Sequence, residues 1–111
     1  MCGIVFIQAE SPADIDKLNI KTLEYRGPDQ TIKTKVGNSL LIFHRLAING
    51  LNTSANQPFE HNNMHVMCNG EIYNYENLAK VLNVELHTGS DCEIISHLLD
   101  KYEPKDACNL L

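Results

Sequence analysis

The 111-residue sequence has no basic excess: nine Lys and Arg stand against fourteen Asp and Glu, a net charge of -5. That balance exerts no general pull on phosphate backbones or anionic lipid, which argues against nucleic-acid and membrane-surface binding. Arginine itself is scarce, limited to Arg26 and Arg45. The four cysteines, Cys2, Cys68, Cys92 and Cys108, form no C-x-x-C pair. Widely spaced thiols of this kind are read as buried small hydrophobes or a catalytic thiol, not as a disulfide framework. Long apolar runs are also missing. Ile4-Val5-Phe6-Ile7 is too short for a signal h-region or a membrane span, and no basic segment precedes it. Gly3 is one position too late for N-myristoylation. These absences predict a cytoplasmic location. No repeat, linker or low-complexity block divides the chain, so one domain is expected. Its length allows about two-thirds of the unfolded chain's surface to be buried, but excludes a large multi-step synthetase within these residues.

The residues that are present predict a mixed architecture. Residues 3–9 form a compact β-branched and aromatic run, read as a buried strand. Ser11-Pro12 reads as the start of a helix whose apolar face includes Ile15, Leu18 and Leu23. Arg26-Gly27-Pro28-Asp29 stops it. Two alternating segments, 31–36 and 39–43, flank Gly37-Asn38, a hairpin signal. Asn62-Asn63 marks a second hairpin with a return strand over 64–68. A short helix is expected over 75–82 with Asn74 as its N-cap, then a strand over 84–87. Ser90 and Glu93 have capping-box spacing before a helix carrying Ile94, Ile95, Leu98, Leu99 and Tyr102, ended by Pro104. Hairpin-connected strands with about three helices predict the α+β class, an antiparallel sheet with helices packed outside it.

Several residues carry chemistry. Cys2 becomes N-terminal if Met1 is removed. Its α-amine, with an ordinary pKa of about 7.7–8.0, could then accept the thiol proton without help from a histidine. Asn69-Gly70 could aim a side-chain amide and a backbone N–H at one oxygen, as an oxyanion hole requires. Arg45 could hold a carboxylate through two parallel hydrogen bonds. Asp91 could receive an ammonium. Each also has an ordinary reading: a buried strand cysteine, a hairpin turn, an ion-paired arginine, and a carboxylate at a helix start. His44 is a further general-base candidate, read as a core or loop histidine. His61, His65 and Cys68 have a zinc-like spacing, but no second cluster completes four ligands, so no metal is expected.

Taken in order, Met-Cys-Gly-Ile-Val-Phe at 1–6, Arg-Gly-Pro-Asp at 26–29, His-Arg-Leu-Ala-Ile at 44–48, Gln-Pro at 57–58, Cys-Asn-Gly-Glu-Ile-Tyr-Asn at 68–74 and Gly-Ser-Asp-Cys-Glu at 89–93 resemble one family. The sequence is similar to the N-terminal glutaminase domain of glutamine-hydrolysing asparagine synthetases, class-II glutamine amidotransferases with the N-terminal-nucleophile (Ntn) hydrolase fold. The resemblance implies an αββα antiparallel sheet sandwich flanked by helices, with residues 1–111 as its N-terminal part and further strands completing it. It implies that Cys2 attacks the side-chain amide of L-glutamine and that Asn69 and Gly70 stabilise the oxyanion. Arg45 would clamp the substrate carboxylate, and Asp91 with Glu71 would pair with its ammonium. The backbone of Leu46, Ala47, Ile48 and Asn49 would line the pocket, and Arg26 to Asp29 would form a structural turn. Asn49-Gly50 stands where many relatives carry an apolar residue and then Asp, a change that backbone contacts tolerate. No cofactor is implied on this chain; ATP and Mg would belong to a synthetase domain, whose Ser-Gly-Gly-x-Asp-Ser loop is absent here. The implied partners are L-glutamine, a synthetase domain or chain that accepts ammonia, and a second copy through unpaired sheet edges. The alternative is a truncated, non-catalytic remnant or glutamine-binding module.

Overall fold

A computed structural model describes residues 1–15 and 21–111. Three antiparallel strands form the first layer: β1 (Gly3–Gln8), β2 (Gln30–Val36) and β3 (Ser39–Arg45), in the order β1-β3-β2. Gly37 takes a positive φ of 56° at the β2–β3 turn, as a two-residue hairpin loop requires. Strand β3 is central, and residues 40–45 are all buried. Side chains alternate along a strand, so this one element feeds two faces. Leu40 and Ile42 join Ile15, Val5 and Ile7 in a hydrophobic cluster. Val5 pairs with Ile42 and Ile7 with Leu40, which puts these contacts on one side of the sheet. Leu41, Phe43 and Arg45 face the other way.

The helix start at Ser11-Pro12 yields α1 (Pro12–Ile15), and a 3-10 turn spans Lys21–Arg26. The expected contribution of Leu18 lies outside the described residues. Gly27 ends this segment by pressing its backbone onto β3: a Cβ there would overlap the carbonyl of His44. Only glycine permits that approach.

The second half begins with a short hairpin, β4 (Phe59–His61) and β5 (Met64–Val66). Asn62 and Asn63 both take positive φ, 46° and 62°, the pattern of a type I′ turn. Then come α2 (Tyr75–Leu82), α3 (Ile94–Leu99) and α4 (Pro104–Cys108). Their core is Ala79, Leu82, Ile94, Leu98 and Ala107. Asn83 closes α2 in the left-handed conformation, with φ 54°.

Four local expectations change. Residues 84–87 join no sheet among the described residues; Val84 and Leu86 instead pack on the helical core. Asn74 does not cap α2 with its side chain, because its amide donates to the Leu110 carbonyl at 2.8 Å. Pro104 does not merely end a helix but starts α4, where its missing N–H is harmless. Ser90 does accept from the Cys92 N–H at 3.3 Å, but Glu93 does not reach back to Ser90. Its carboxylate takes the N–H groups of His87 and Thr88 and the Thr88 hydroxyl, at 2.7–3.0 Å. The α+β class stands, with antiparallel sheets and helices packed against them. Among the described residues, no helix is long and apolar enough to cross a membrane.

Leu98→Ala, at a fully buried position, should lower unfolding free energy by about 3 kcal/mol in urea denaturation. The exposed Val81→Ala should change it by no more than about 0.5 kcal/mol. Burial pushes the Glu93 carboxyl up, but the hydrogen bonds from His87 and Thr88 outweigh it and leave its pKa below the ordinary value. The stabilisation is therefore full above the ordinary glutamate pKa of about 4.3, and disappears as pH falls through the lower folded value. Glu93→Gln should cost about 2 kcal/mol at neutral pH and flatten that acidic limb of the stability–pH curve.

Candidate active site

Cys2 lies just before β1, next to the residue that follows β3. The Leu46 N–H donates to its Sγ at 3.3 Å, and the thiol lies 3.6 Å from the Leu46 carbonyl. The Cys2 N–H donates to the Asn69 side-chain carbonyl at 2.9 Å. That bond fixes the Asn69 amide in rotation and leaves its NH2 end available to another acceptor. Arg26 donates from Nε to the Cys2 carbonyl at 3.2 Å. The Arg26–Asp29 turn thus holds the residue that carries the thiol. Asp29 holds the neighbouring loop as well: its N–H bonds the Arg45 carbonyl at 3.0 Å, and its carboxylate accepts the Ala47 N–H at 2.7 Å.

A cavity of about 310 Å³ opens beside Cys2. That is at the small end of the usual ligand-pocket range of roughly 300–1,000 Å³. Cys2, Arg45, Leu46, Ile48, Asn49, Asn69, Gly70, Glu71 and Asp91 all line it. Ala47 does not line it; its N–H is engaged by Asp29. His44 also lies elsewhere, on the opposite face of β3, with Nδ1 2.9 Å from the Thr31 hydroxyl. It offers Cys2 no general base.

Arg45 projects from the end of β3 into this cavity, although it is only 5% exposed. Its guanidinium donates to the carbonyls of Asn52 (2.9 Å) and Gly50, and to the Asn56 side-chain oxygen (2.6 Å). Three of its five N–H groups therefore brace the loop after β3. Asp91 is also buried, in the 3-10 turn before α3, and accepts the Ile72 N–H at 2.6 Å. Glu71 and Tyr73 stand exposed at the rim. Tyr73 is raised in pKa by its hydrogen bond to Glu71 and by that carboxylate's charge.

Some lining residues had no assigned role in the sequence. Gln57 is buried and accepts the Cys68 N–H at 2.6 Å, tying the loop before β4 to the segment that carries Asn69. Its only sequence signal was the Gln-Pro pair. Cys68 and Cys92 were read as bland hydrophobes, yet both line the cavity. The Cys92 thiol donates to the Gly70 carbonyl at 3.5 Å. The neighbouring Cys92 thiol lowers Cys68 to a pKa of about 7, while Cys92 is pushed up by Cys68 and by burial.

A family model described as a glutamine amidotransferase domain matches residues 1–110. A probable glutamine-hydrolysing asparagine synthetase of Acanthamoeba polyphaga mimivirus is 38% identical over 109 residues, covering 90% of this chain and 20% of that relative. Asparagine synthetase 1 of Arabidopsis thaliana is 39% identical over 111 residues, covering 92% of this chain and 19% of the plant protein. The corresponding Zea mays enzyme is 38% identical over 110 residues, with the same shares. The chain spans about a fifth of the length of these curated relatives. With the family model spanning all but its last residue, the chain belongs to the glutamine amidotransferase domain family.

Proposed function

We propose that this chain hydrolyses the side-chain amide of L-glutamine and releases ammonia to a synthetase domain or chain that forms asparagine. We also read residues 1–111 as the N-terminal part of a type-2 glutamine amidotransferase domain, acting in the cytoplasm. The observation that carries the reading is the Cys2–Asn69 bond at the wall of a cavity shared with Arg45 and Asp91. The asparagine-forming partner rests on the relatives alone.

In this mechanism Met1 is removed, and the amine of Cys2 takes the thiol proton. The sulfur attacks the amide carbon and forms a tetrahedral oxyanion. The Asn69 NH2 and the Gly70 N–H donate to that oxygen, and the Asn69 carbonyl holds the Cys2 amine. When the intermediate collapses, the C–N bond breaks and the amine returns its proton to the leaving ammonia. Water then attacks the thioester, and glutamate leaves with the thiol restored. No cofactor on this chain is needed. Among the described residues, two N–H groups of Arg45 remain for the substrate carboxylate, and Asp91 with Glu71 supplies negative charge for the ammonium. The backbone at Leu46, Ile48 and Asn49 walls the pocket, with Ala47 held behind it. A glutamine-binding remnant would need Arg45 and Asp91 but has no use for a thiol and an amide positioned together.

Intact mass spectrometry should find Met1 absent and a single adduct at Cys2 after treatment with a diazoketone mimic of glutamine. A retained Met1, or no adduct at Cys2, contradicts the catalytic reading. Cys68→Ser should leave that adduct in place, because the nearly neutral thiol pKa of Cys68 makes it the competing site. Asn69→Ala should reduce kcat for glutamate formation by about 10²–10³, with little change in KM.

A further inference from the structure

We propose that His61, His97 and Asp100 form a binding site for zinc or a similar divalent first-row cation, clamping the β4–β5 hairpin to α3. The site lies outside the Cys2 cavity and shares no lining residue with it.

The His61, His65 and Cys68 set does not converge on the hairpin. His61 pairs with Met64 and Glu60 with His65, so alternation sends His61 and His65 to opposite faces. His61 instead points to the last turn of α3. His97 and the following Asp100 are three apart, which puts both on one side of that helix end. One ligand atom from each of the three residues lies within 4.8 Å of the others. Zinc bonds to nitrogen and oxygen of about 2.0–2.2 Å set tetrahedral donors about 3.3 Å apart. The three donors thus lie near the spacing a shared ion would impose.

The surroundings fit a cation better than a simple ion pair. His61 Nε2 already meets the Asp100 carboxylate. Asn62 donates to both carboxylate oxygens at 3.0 Å, which orients the carboxylate from outside. The His97 ring stands 4.7 Å from the His61 ring at 60°, a contact an Asp–His pair would not require. Glu93 adds a further negative charge 3.8 Å from His97 Nε2. A second cavity of about 510 Å³ is lined by His61, His97 and Glu93. It leaves room for water at a fourth position. Two imidazoles and one carboxylate suit zinc over magnesium or calcium, which favour all-oxygen sets.

The test is a cobalt titration of the full chain after EDTA dialysis, followed by zinc competition and thermal unfolding. One Co2+ per chain should bind with visible d–d bands and without a thiolate charge-transfer band. Zinc should displace it and raise Tm. Asp100→Asn and His97→Gln should each weaken binding at least about tenfold and abolish the Tm rise, whereas His65→Gln should leave both unchanged. No saturable binding up to millimolar cobalt, a thiolate band, or affinity unchanged in both variants would overturn the site.

Discussion

The contact between Gly27 and the backbone of His44 is the constraint on which the site depends. No side chain fits between them, so the turn after the 3-10 segment lies flat on the end of the central strand. From that position Arg26 reaches the Cys2 carbonyl, and Asp29 holds both the Arg45 carbonyl and the Ala47 N–H. Cys2 and the loop after β3 are therefore held by a common support. A nucleophile needs placement to within a fraction of an ångström. Here placement comes from the Arg26, Asp29 and Asn69 side chains bonded to backbone groups, and from the Leu46 N–H on the Cys2 sulfur.

Buried charge is organised by the same economy of donors and acceptors. Arg45, Asp91 and Glu93 are each less than 9% exposed. Unpaired, any of them would be strongly destabilising. Each is satisfied mainly by backbone groups: carbonyls of Gly50 and Asn52 for Arg45, the Ile72 N–H for Asp91, and the N–H groups of His87 and Thr88 for Glu93. The charged residues thereby order the irregular segments 46–56, 70–74 and 83–90, which join no sheet among the described residues. Arg45 and Asp91 do this at the cavity wall, so loop order and ligand recognition share the same side chains.

Much of the architecture was legible because it depends on local rules. Gly37-Asn38 and Asn62-Asn63 declare tight turns through their tolerance of positive φ, and the flanking strands follow. The failures came where a distant partner outcompeted a local one. Asn74 prefers the Leu110 carbonyl to its own helix, and Glu93 prefers the 87–88 backbone to Ser90. Val84 and Leu86 looked like a strand because alternation cannot tell a sheet partner from a helical core. For the cavity, motif order pointed to Cys2, Arg45, Asn69, Gly70 and Asp91, and these residues do meet. Gln57, Cys68 and Cys92 carried no separate signal, since their importance lies in contacts across 11 to 24 positions of chain.

The family and the kinds of chemistry available are written in the chain itself, because residue type sets charge, nucleophilicity and turn preference. So is the even alternation that sends Arg45 and Ile42 to opposite sides of β3. Proximity is another matter. That His61 meets His97 and Asp100 instead of His65, that His44 turns away from Cys2, and that Cys68 and Cys92 both come to the cavity beside Gly70 were decided by packing. Strand alternation and helix docking act on whole elements, and they bring together side chains whose separation in sequence carries no hint of contact.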